Sequence, residues 1–293
     1  MTKKELRANV LLLLTAAIWG LAFVAQRMGS DHLGAFAFNG IRFAIGSISL
    51  VPLIIILNKK NKYESCESKN IIKYGIIAGI VLFGAASLQQ AGVAYTTAGK
   101  AGFITGLYMV IVPVLGIFIK QRVGKNTWIG IALAVIGLYM LSVNEEFSIS
   151  KGDFLVLLSS VLWAIHILLI DKFSKKVDSL KLSSVQFAAC SILSFIVAGI
   201  FEDFSLHNVQ LAIIPILYGG IFSVGIAYTL QVVAQKDAKP SHAAILLSTE
   251  SVFAVIGGTI LLGESLGVKE IFGCILIFIA IIIAQIKPKS NKI

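Results

Sequence analysis

The chain has 293 residues, of which 57% are apolar or aromatic and only 14% are charged, and its mean hydropathy is +0.90. An ordinary soluble domain carries about 25% charged residues, so this composition excludes a soluble protein and predicts an integral membrane protein without a soluble catalytic domain. The formal net charge of +10 is interpreted as one basic face lying against anionic lipid, and not as a nucleic-acid-binding surface, because no basic stripe interleaved with aromatic residues accompanies it.

Apolar blocks close to twenty residues long follow one another along the chain, which is the length of helix that crosses a hydrocarbon layer about 30 Å thick. Only helices fit these blocks, because lipid cannot pair open backbone groups and no block alternates with the period of a β-barrel. The polar interruptions predict ten transmembrane helices, at Ala8–Met28, Phe36–Leu57, Ile71–Ala94, Ala101–Ile119, Trp128–Val143, Phe154–Ile170, Leu182–Phe201, Leu211–Val233, Ala243–Leu262 and Val268–Ile286.

Charge in the loops predicts the orientation of these helices. If both termini are cytoplasmic, the outer face holds only four basic residues, Arg27, Lys100, Lys151 and Lys269. The inner face then holds twenty: Lys3, Lys4, Arg7, Lys59, Lys60, Lys62, Lys69, Lys73, Lys120, Arg122, Lys125, Lys172, Lys175, Lys176, Lys181, Lys236, Lys239, Lys287, Lys289 and Lys292. Because basic residues are enriched in cytoplasmic loops, this division favours ten spans with both termini inside, in the plasma membrane.

The two halves of the chain repeat each other at an offset of about 142 to 144 residues. Trp19 matches Trp163, the Leu88-Gln89 pair matches Leu230-Gln231, and Gly130 matches Gly273. The sequence therefore predicts two five-helix repeats, at residues 1–144 and 145–293. Since five is odd, the second repeat enters the membrane from the opposite side, and such inverted repeats are typical of transporters that expose a central site to the two sides in turn.

Several short segments resemble the drug/metabolite transporter superfamily, specifically its EamA-type members with two five-helix repeats. In the first half they are Ala17-Ile18-Trp19-Gly20, Arg42, the segment from Ala94 to Ile104, and Val112-Pro113. In the second half they are Pro240-Ser241-His242-Ala243-Ala244, Glu250 and Leu262-Gly263-Glu264. Ser251 stands where the family often has a proline. The resemblance implies a secondary transporter, commonly an exporter of amino acids, metabolites or toxic compounds, with its cavity between the halves.

Glu250 and His166 are the ionisable candidates for the transport pathway, because charged and strongly polar side chains are costly in hydrocarbon. Glu250 lies about 12 Å into the ninth span at 1.5 Å per residue. It is predicted to contact a cation or carry protons, and the alternative is a carboxyl that only packs between helices. His166 shares a helix face with Trp163, and it either binds substrate and exchanges protons or is simply packed.

The remaining candidates are aromatic and polar residues. Trp19 and Trp163 hold equivalent positions and are predicted as two walls of a cavity, with plain packing the alternative. Gln89 is favoured over Gln90 because Gln231 matches it in the second repeat, although amides also join helices. Further predicted substrate-binding residues are Thr105, Tyr108 and Tyr228.

Arg42 and Pro113 are predicted to be structural. Arg42 lies within the second span, where it either attracts anions or extends toward the surface, and the resemblance favours structure because the family places an arginine here in members with dissimilar substrates. Cys66, Cys190 and Cys274 lack metal-ligand spacing and are predicted as free thiols. No cofactor is expected, and the absence of a phosphate-binding loop disfavours an ATP-driven pump.

The rival to a transporter is a membrane-embedded enzyme, or an accessory subunit that binds a partner. An enzyme should cluster at least two reactive groups at one depth, which Glu250 and His166 alone do poorly. The expected partners are a small-molecule substrate, the lipid bilayer and protons as a coupling ion. Glycine-rich helix faces permit a homodimer but do not require one.

Overall fold

The computed structural model describes residues 2–60, 68–121, 123–142, 150–203, 205–263 and 267–285. Every regular element in these ranges is helical: α1 Lys3–Gly29, α2 Ala35–Lys60, α3 Ser68–Val93, α4 Ala98–Gly106, α5 Tyr108–Phe118, α6 Lys125–Ser142, α7 Lys151–Phe173, α8 Ser179–Phe201, α9 Leu206–Leu211, α10 Ile213–Leu217, a π-helix Tyr218–Tyr228, α11 Thr229–Ala234, α12 Pro240–Leu247, α13 Glu250–Leu262 and α14 Val268–Gln285. The predicted all-α class is therefore confirmed.

Eight helical segments in the described ranges are long and apolar enough to cross a membrane. They coincide with eight of the predicted spans: Lys3–Gly29, Ala35–Ile56, Asn70–Val93, Ala98–Phe118, Lys151–Phe173, Ser179–Phe201, Ile213–Ala234 and Pro240–Leu262. The fifth and tenth predicted spans correspond to α6 and α14, each of 18 residues. Such helices rise about 27 Å, slightly less than a hydrocarbon layer.

Some of the sequence predictions concern residues outside the described ranges. The boundary between the predicted repeats, at 144/145, is one of them. The others are Cys66, Glu264 of the last family-like segment, and five basic residues assigned to the inner face, namely Lys62, Arg122, Lys287, Lys289 and Lys292. Cys190, by contrast, is described and is a buried free cysteine.

Helices from the two halves of the chain pack directly against each other. The most extensive contacts join α6 with α14, α2 with α8, α3 with both α7 and α8, and α1 with α13. Glycine permits the approach of α6 to α14, because a Cβ on Gly137 would lie 2.7 Å from the Gly273 carbonyl oxygen. The halves therefore form one bundle, and its central residues are contributed by both.

A carboxylate from the second half caps a helix of the first. Glu202, at the end of α8, accepts hydrogen bonds from the backbone N–H groups of Phe36 (3.0 Å) and Ala37 (2.7 Å), at the start of α2. These N–H groups have no partner within the helix, and a negative charge at a helix N-terminus is favourable. The contact thus joins the two halves.

Replacing Glu202 by alanine is expected to destabilise the protein by about 1 kcal/mol, which is the typical cost of losing a helix N-cap. A lower midpoint of thermal unfolding in detergent would show this loss. The matched control is Asp203→Ala, since Asp203 is the exposed neighbouring acid. Equal midpoints for the two variants would contradict the capping role.

Candidate functional site

Two of the spans are interrupted near their middles, at equivalent places in the two halves. The fourth span breaks at Leu107, between α4 and α5, and the ninth breaks at Ser248 and Thr249, between α12 and α13. In transporters built from repeats, discontinuous helices of this kind supply the central site. Here the two breaks lie beside Tyr108 and Glu250.

Side-chain hydroxyls surround the break in the ninth span. Ser248, Thr249 and Ser251 each donate a hydrogen bond to the carbonyl oxygen three residues earlier, at 2.7 to 2.8 Å. The backbone bonds beside them also run over three residues, as from the Thr249 N–H to the Leu246 oxygen, which tightens the turn. The helix is interrupted before Glu250, and Ser251 stands there in place of the proline that the resemblance led us to expect.

The eighth span contains a π-helix, Tyr218–Tyr228, and π-helical turns are frequent at functional sites. Three hydrogen bonds join it to α1. Trp19 Nε1 donates to the Ser223 carbonyl oxygen (3.3 Å), Thr15 Oγ1 to that of Ala227 (3.2 Å), and Tyr218 Oη to that of Ile18 (3.0 Å). Trp19 is thereby held by backbone from the opposite half.

These elements surround a small cavity, which leaves about 20 Å³ in which the centre of a water-sized sphere can lie. Its walls come from α1, α2, α3, α4 and α5 of the first half, and from α7, the π-helix, α11 and α13 of the second. The lining residues are Trp19, Ala22, Phe23, Gln26, Arg42, Gln89, Thr105, Tyr108, Trp163, Ile167, Ser223, Tyr228, Gln231 and Glu250. Eight of the nine predicted substrate-binding residues are among them.

Three aromatic side chains form one wall of the cavity. The ring centroid of Tyr228 lies 4.5 Å from that of Trp19 and 5.9 Å from that of Trp163, and the two tryptophan rings are 6.4 Å apart. The paired tryptophans of the two halves thus lie side by side, with Tyr228 against both. Such a surface can stack on a planar or cationic group.

The glutamines divide between the cavity and the helix packing. Gln89 lines the cavity and donates from Nε2 to Thr105 Oγ1 at 3.0 Å, and Gln231 lines it from the other half. Gln90 instead donates to the Gln26 carbonyl oxygen, and Gln235 to that of Ile167, each at 3.0 Å. In each half, therefore, one glutamine faces the cavity and another ties its helix to the first helix of that half.

The cavity contains one acidic and one basic side chain, Glu250 and Arg42, which are 3% and 1% exposed. The Tyr108 hydroxyl lies beside the Glu250 carboxyl. Six buried polar atoms of the lining have no hydrogen-bond partner: Gln26 Oε1, Arg42 Nη2, Tyr108 Oη, Trp163 Nε1, Gln231 Oε1 and Glu250 Oε1. Since unpaired buried polar groups are costly, this cavity is suited to a polar ligand.

His166 and Pro113 lie outside the cavity lining. His166 is fully buried behind the aromatic wall, where its Nε2 is 3.0 Å from Gln186 Oε1 and its ring lies edge-on to Trp163 and Tyr228. Pro113 is buried within α5. In the part of the chain that the structure describes, no three His, Cys, Asp or Glu side chains are grouped so as to hold a metal ion.

Six lining residues were not predicted to line the cavity, Arg42 among them, and helical spacing is the signal that finds most of the others. Phe23 and Gln26 follow Trp19 by four and seven residues, and Ile167 follows Trp163 by four, so each shares a face with its tryptophan. Ala22 follows Trp19 by three residues and shares that face as well, whereas Ser223 carries no such signal. Ser223 depends on the π-helix, whose register differs from that of an α-helix.

Comparison with known proteins gives the family. The model of the EamA-like transporter family matches residues 6–143 and again residues 150–285. An uncharacterized transporter of Archaeoglobus fulgidus is 32% identical over 288 residues, covering 97% of this chain and 87% of its own. The uncharacterized transporter YoaV of Bacillus subtilis is 23% identical over 266 residues, covering 89% of this chain and 90% of its own. A solved crystal structure with 17% identity covers 95% of this chain and 96% of its own, with a TM-score of 0.76, and shows a similar fold.

The chain therefore belongs to the EamA-like transporter family, which confirms the resemblance found in the sequence. Together with the eight apolar spans, this makes it a multi-pass protein of the plasma membrane and a transporter. The bilayer and a small-molecule substrate are its partners.

Proposed function

We propose that this protein is a secondary transporter that exports a small organic metabolite, such as an amino acid, or a toxic compound, by alternating access. The observation that carries the proposal is the central cavity, which both halves line with paired tryptophans, paired glutamines and two buried ionisable side chains. A site shared by two halves changes shape when one half moves against the other.

The topology that goes with this function is ten spans, arranged as inverted repeats at residues 1–144 and 145–293 with both termini cytoplasmic. Supporting it, α6 and α14 occupy the predicted places of the fifth and tenth spans. The family model also matches the chain twice, on either side of the proposed boundary. The interrupted helices occur at equivalent positions, as repeats require.

We assign substrate binding to the nine residues predicted from the sequence: Trp19, Gln89, Thr105, Tyr108, Trp163, His166, Tyr228, Gln231 and Glu250. His166 would act from behind the wall, through Trp163 and Tyr228. Protons are the proposed coupling ion, with Glu250 as their carrier, because it is the one acidic side chain in the lining.

A transporter explains the cavity better than an enzyme or an accessory subunit does. An enzyme needs reactive groups that meet, yet His166 lies outside the lining that contains Glu250. An accessory subunit has no need for six unpaired polar atoms around one internal space. If changing Trp163 and Glu250 together left activity unaltered, the accessory-subunit interpretation would be favoured.

Counterflow in liposomes tests the proposal without assuming an energy source. Liposomes containing the purified protein would be loaded with one unlabelled compound at a time from a panel of amino acids, amines, nucleosides and sugars. Uptake of the same compound in labelled form would then be measured. Exchange of one class is expected. If protein shown to be folded exchanged none of these compounds, the result would count against a transporter of such molecules.

Replacing Trp163 by alanine is expected to raise the KM for exchange at least tenfold, because one wall of the cavity is lost and aromatic contacts of this kind contribute about 1 kcal/mol or more beyond buried area. The matched control is Trp128→Ala on α6, since Trp128 is partly exposed and lies outside the lining. Equal KM values for the two variants would show that the wall does not contact substrate.

A further inference from the structure

Arg42 is held rigidly at the edge of the cavity. Its guanidinium carbon lies 5.5 Å from the ring centroid of Phe38 and 5.0 Å from that of Phe43, and its Nε donates to Asn39 Oδ1 at 2.9 Å. All three partners lie on its own helix, within one turn of it. The orientation of the guanidinium is therefore set in advance.

The π-helix leaves room for this side chain. A Cβ on Gly219 would lie 3.3 Å from Arg42 Cδ, and one on Gly220 would lie 3.2 Å from the Arg42 carbonyl oxygen. Two successive glycines thus let the π-helix pack closely over α2. The arginine is accommodated as a buried residue and does not extend to the surface.

In the described ranges, no carboxylate lies within 4.0 Å of the guanidinium. The ion pairs Arg27 with Asp31, Lys100 with Asp153 and Lys175 with Asp171 do not involve it. Arg42 Nη2 is buried and has no hydrogen-bond partner. A buried charge without a counter-charge is costly in hydrocarbon and marks a functional position.

We propose that Arg42 is a substrate-binding residue that contacts an oxyanion of the substrate, and that this oxyanion is a carboxylate. This inference rests on the proposed transport function and narrows its substrate class to carboxylic acids. A planar guanidinium matches a carboxylate in shape and hydrogen bonding. Glu250 lines the same cavity, so a doubly charged phosphate ester is less suited to it than a singly charged carboxylate.

Counterflow with matched compounds tests the proposal. The probes are carboxylic acids that include phenylalanine, each compared with its primary amide, its decarboxylated amine and a phosphate ester of similar size. At least one acid should be exchanged, and its amide should have a KM about ten to a hundred times higher, the range expected for a lost hydrogen bond to a charged group. Equal exchange of acid and amide, or exchange of amines or phosphate esters alone, would overturn the assignment of Arg42 and leave transport established. If the folded protein exchanged none of the probes, the result would count against transport itself.

Variants separate binding from a structural role. Arg42→Gln should raise the KM for the acid and leave that for the amide nearly unchanged, whereas Arg42→Lys should recover part of the affinity. Arg27→Gln, which removes a surface ion pair, is the control.

A fall in exchange that is equal for acid and amide, together with a lower unfolding midpoint, would show that Arg42 is structural. Chloride-dependent exchange of both compounds would show that an inorganic anion neutralises it, and either result would refute the proposal.

Discussion

Replacing Glu250 by glutamine is expected to abolish transport driven by a pH gradient while sparing substrate exchange. Glutamine has nearly the same shape but cannot release a proton. The charged or titratable lining groups around Glu250 are Tyr108 from α5, Tyr228 from the π-helix and Arg42 from α2, and the two tyrosines are neutral at physiological pH. Glu250 is therefore the lining group that can take up and release a proton as the cavity opens to each side.

Uptake and counterflow in the same liposomes measure the two activities. A pH gradient should drive accumulation by the unaltered protein and none by Glu250→Gln, whereas both should exchange substrate at zero gradient. Asp203→Asn, an exposed acid outside the cavity, should behave like the unaltered protein. If Glu250→Gln retains both activities, that residue is not the coupling group.

Replacing Gly20 by alanine is expected to lower transport about a hundredfold and to destabilise the protein by about 1 to 3 kcal/mol. The added Cβ would lie 2.6 Å from the Glu250 carbonyl oxygen and 2.8 Å from the Ala254 nitrogen, both of them backbone atoms of α13. Overpacking a tight contact costs energy of this size. It must also push apart α1, which carries Trp19, and α13, which carries Glu250, and a displacement of about 1 Å can reduce activity a hundredfold.

Exchange rates and unfolding midpoints in detergent check this prediction. The control is Gly199→Ala on α8, where an added Cβ would meet nothing within 4 Å. Gly199→Ala should match the unaltered protein in both measurements. Unchanged exchange by Gly20→Ala would mean that the close packing of α1 on α13 does not position the cavity.

Much of the site was predictable because polar side chains in apolar helices are costly and therefore few. Glu250, Gln89 and Gln231 stand out on that basis alone, and each lines the cavity. The internal repeat decided between the two neighbouring glutamines, since the match to Gln231 favoured Gln89 over Gln90. The aromatic pair followed in the same way, from the equivalence of Trp19 and Trp163.

Where the prediction fell short, the cause is tertiary structure. Helical spacing placed His166 beside Trp163, and the two rings are in contact, but only the packing shows that His166 lies behind the aromatic wall with Gln186 as its partner. Arg42 was predicted to be structural, and only the arrangement of α2 against the π-helix reveals that it also lines the cavity. The break before Glu250 occurs without a proline, so the sequence gives little sign of it.

The spans themselves follow from the length of the apolar blocks, and eight of those predicted have the length and composition required. The helices α6 and α14, of 18 residues each, lie at the positions predicted for the fifth and tenth spans. Their close packing against each other joins the last helix of each predicted repeat. Pairing between repeats depends on contacts that a single sequence does not reveal.

Accessibility of the cavity from the two sides of the membrane tests the central claim most directly. In a variant whose three cysteines are replaced by serine, Ser223→Cys places one small thiol in the lining. A membrane-impermeant thiol reagent would then be applied to right-side-out and to inside-out vesicles. Labelling from both sides, reduced in each case by the transported compound, is the result expected for a cavity that opens alternately. Labelling from only one side under all conditions, or protection by no exchanged compound, would contradict alternating access through this cavity.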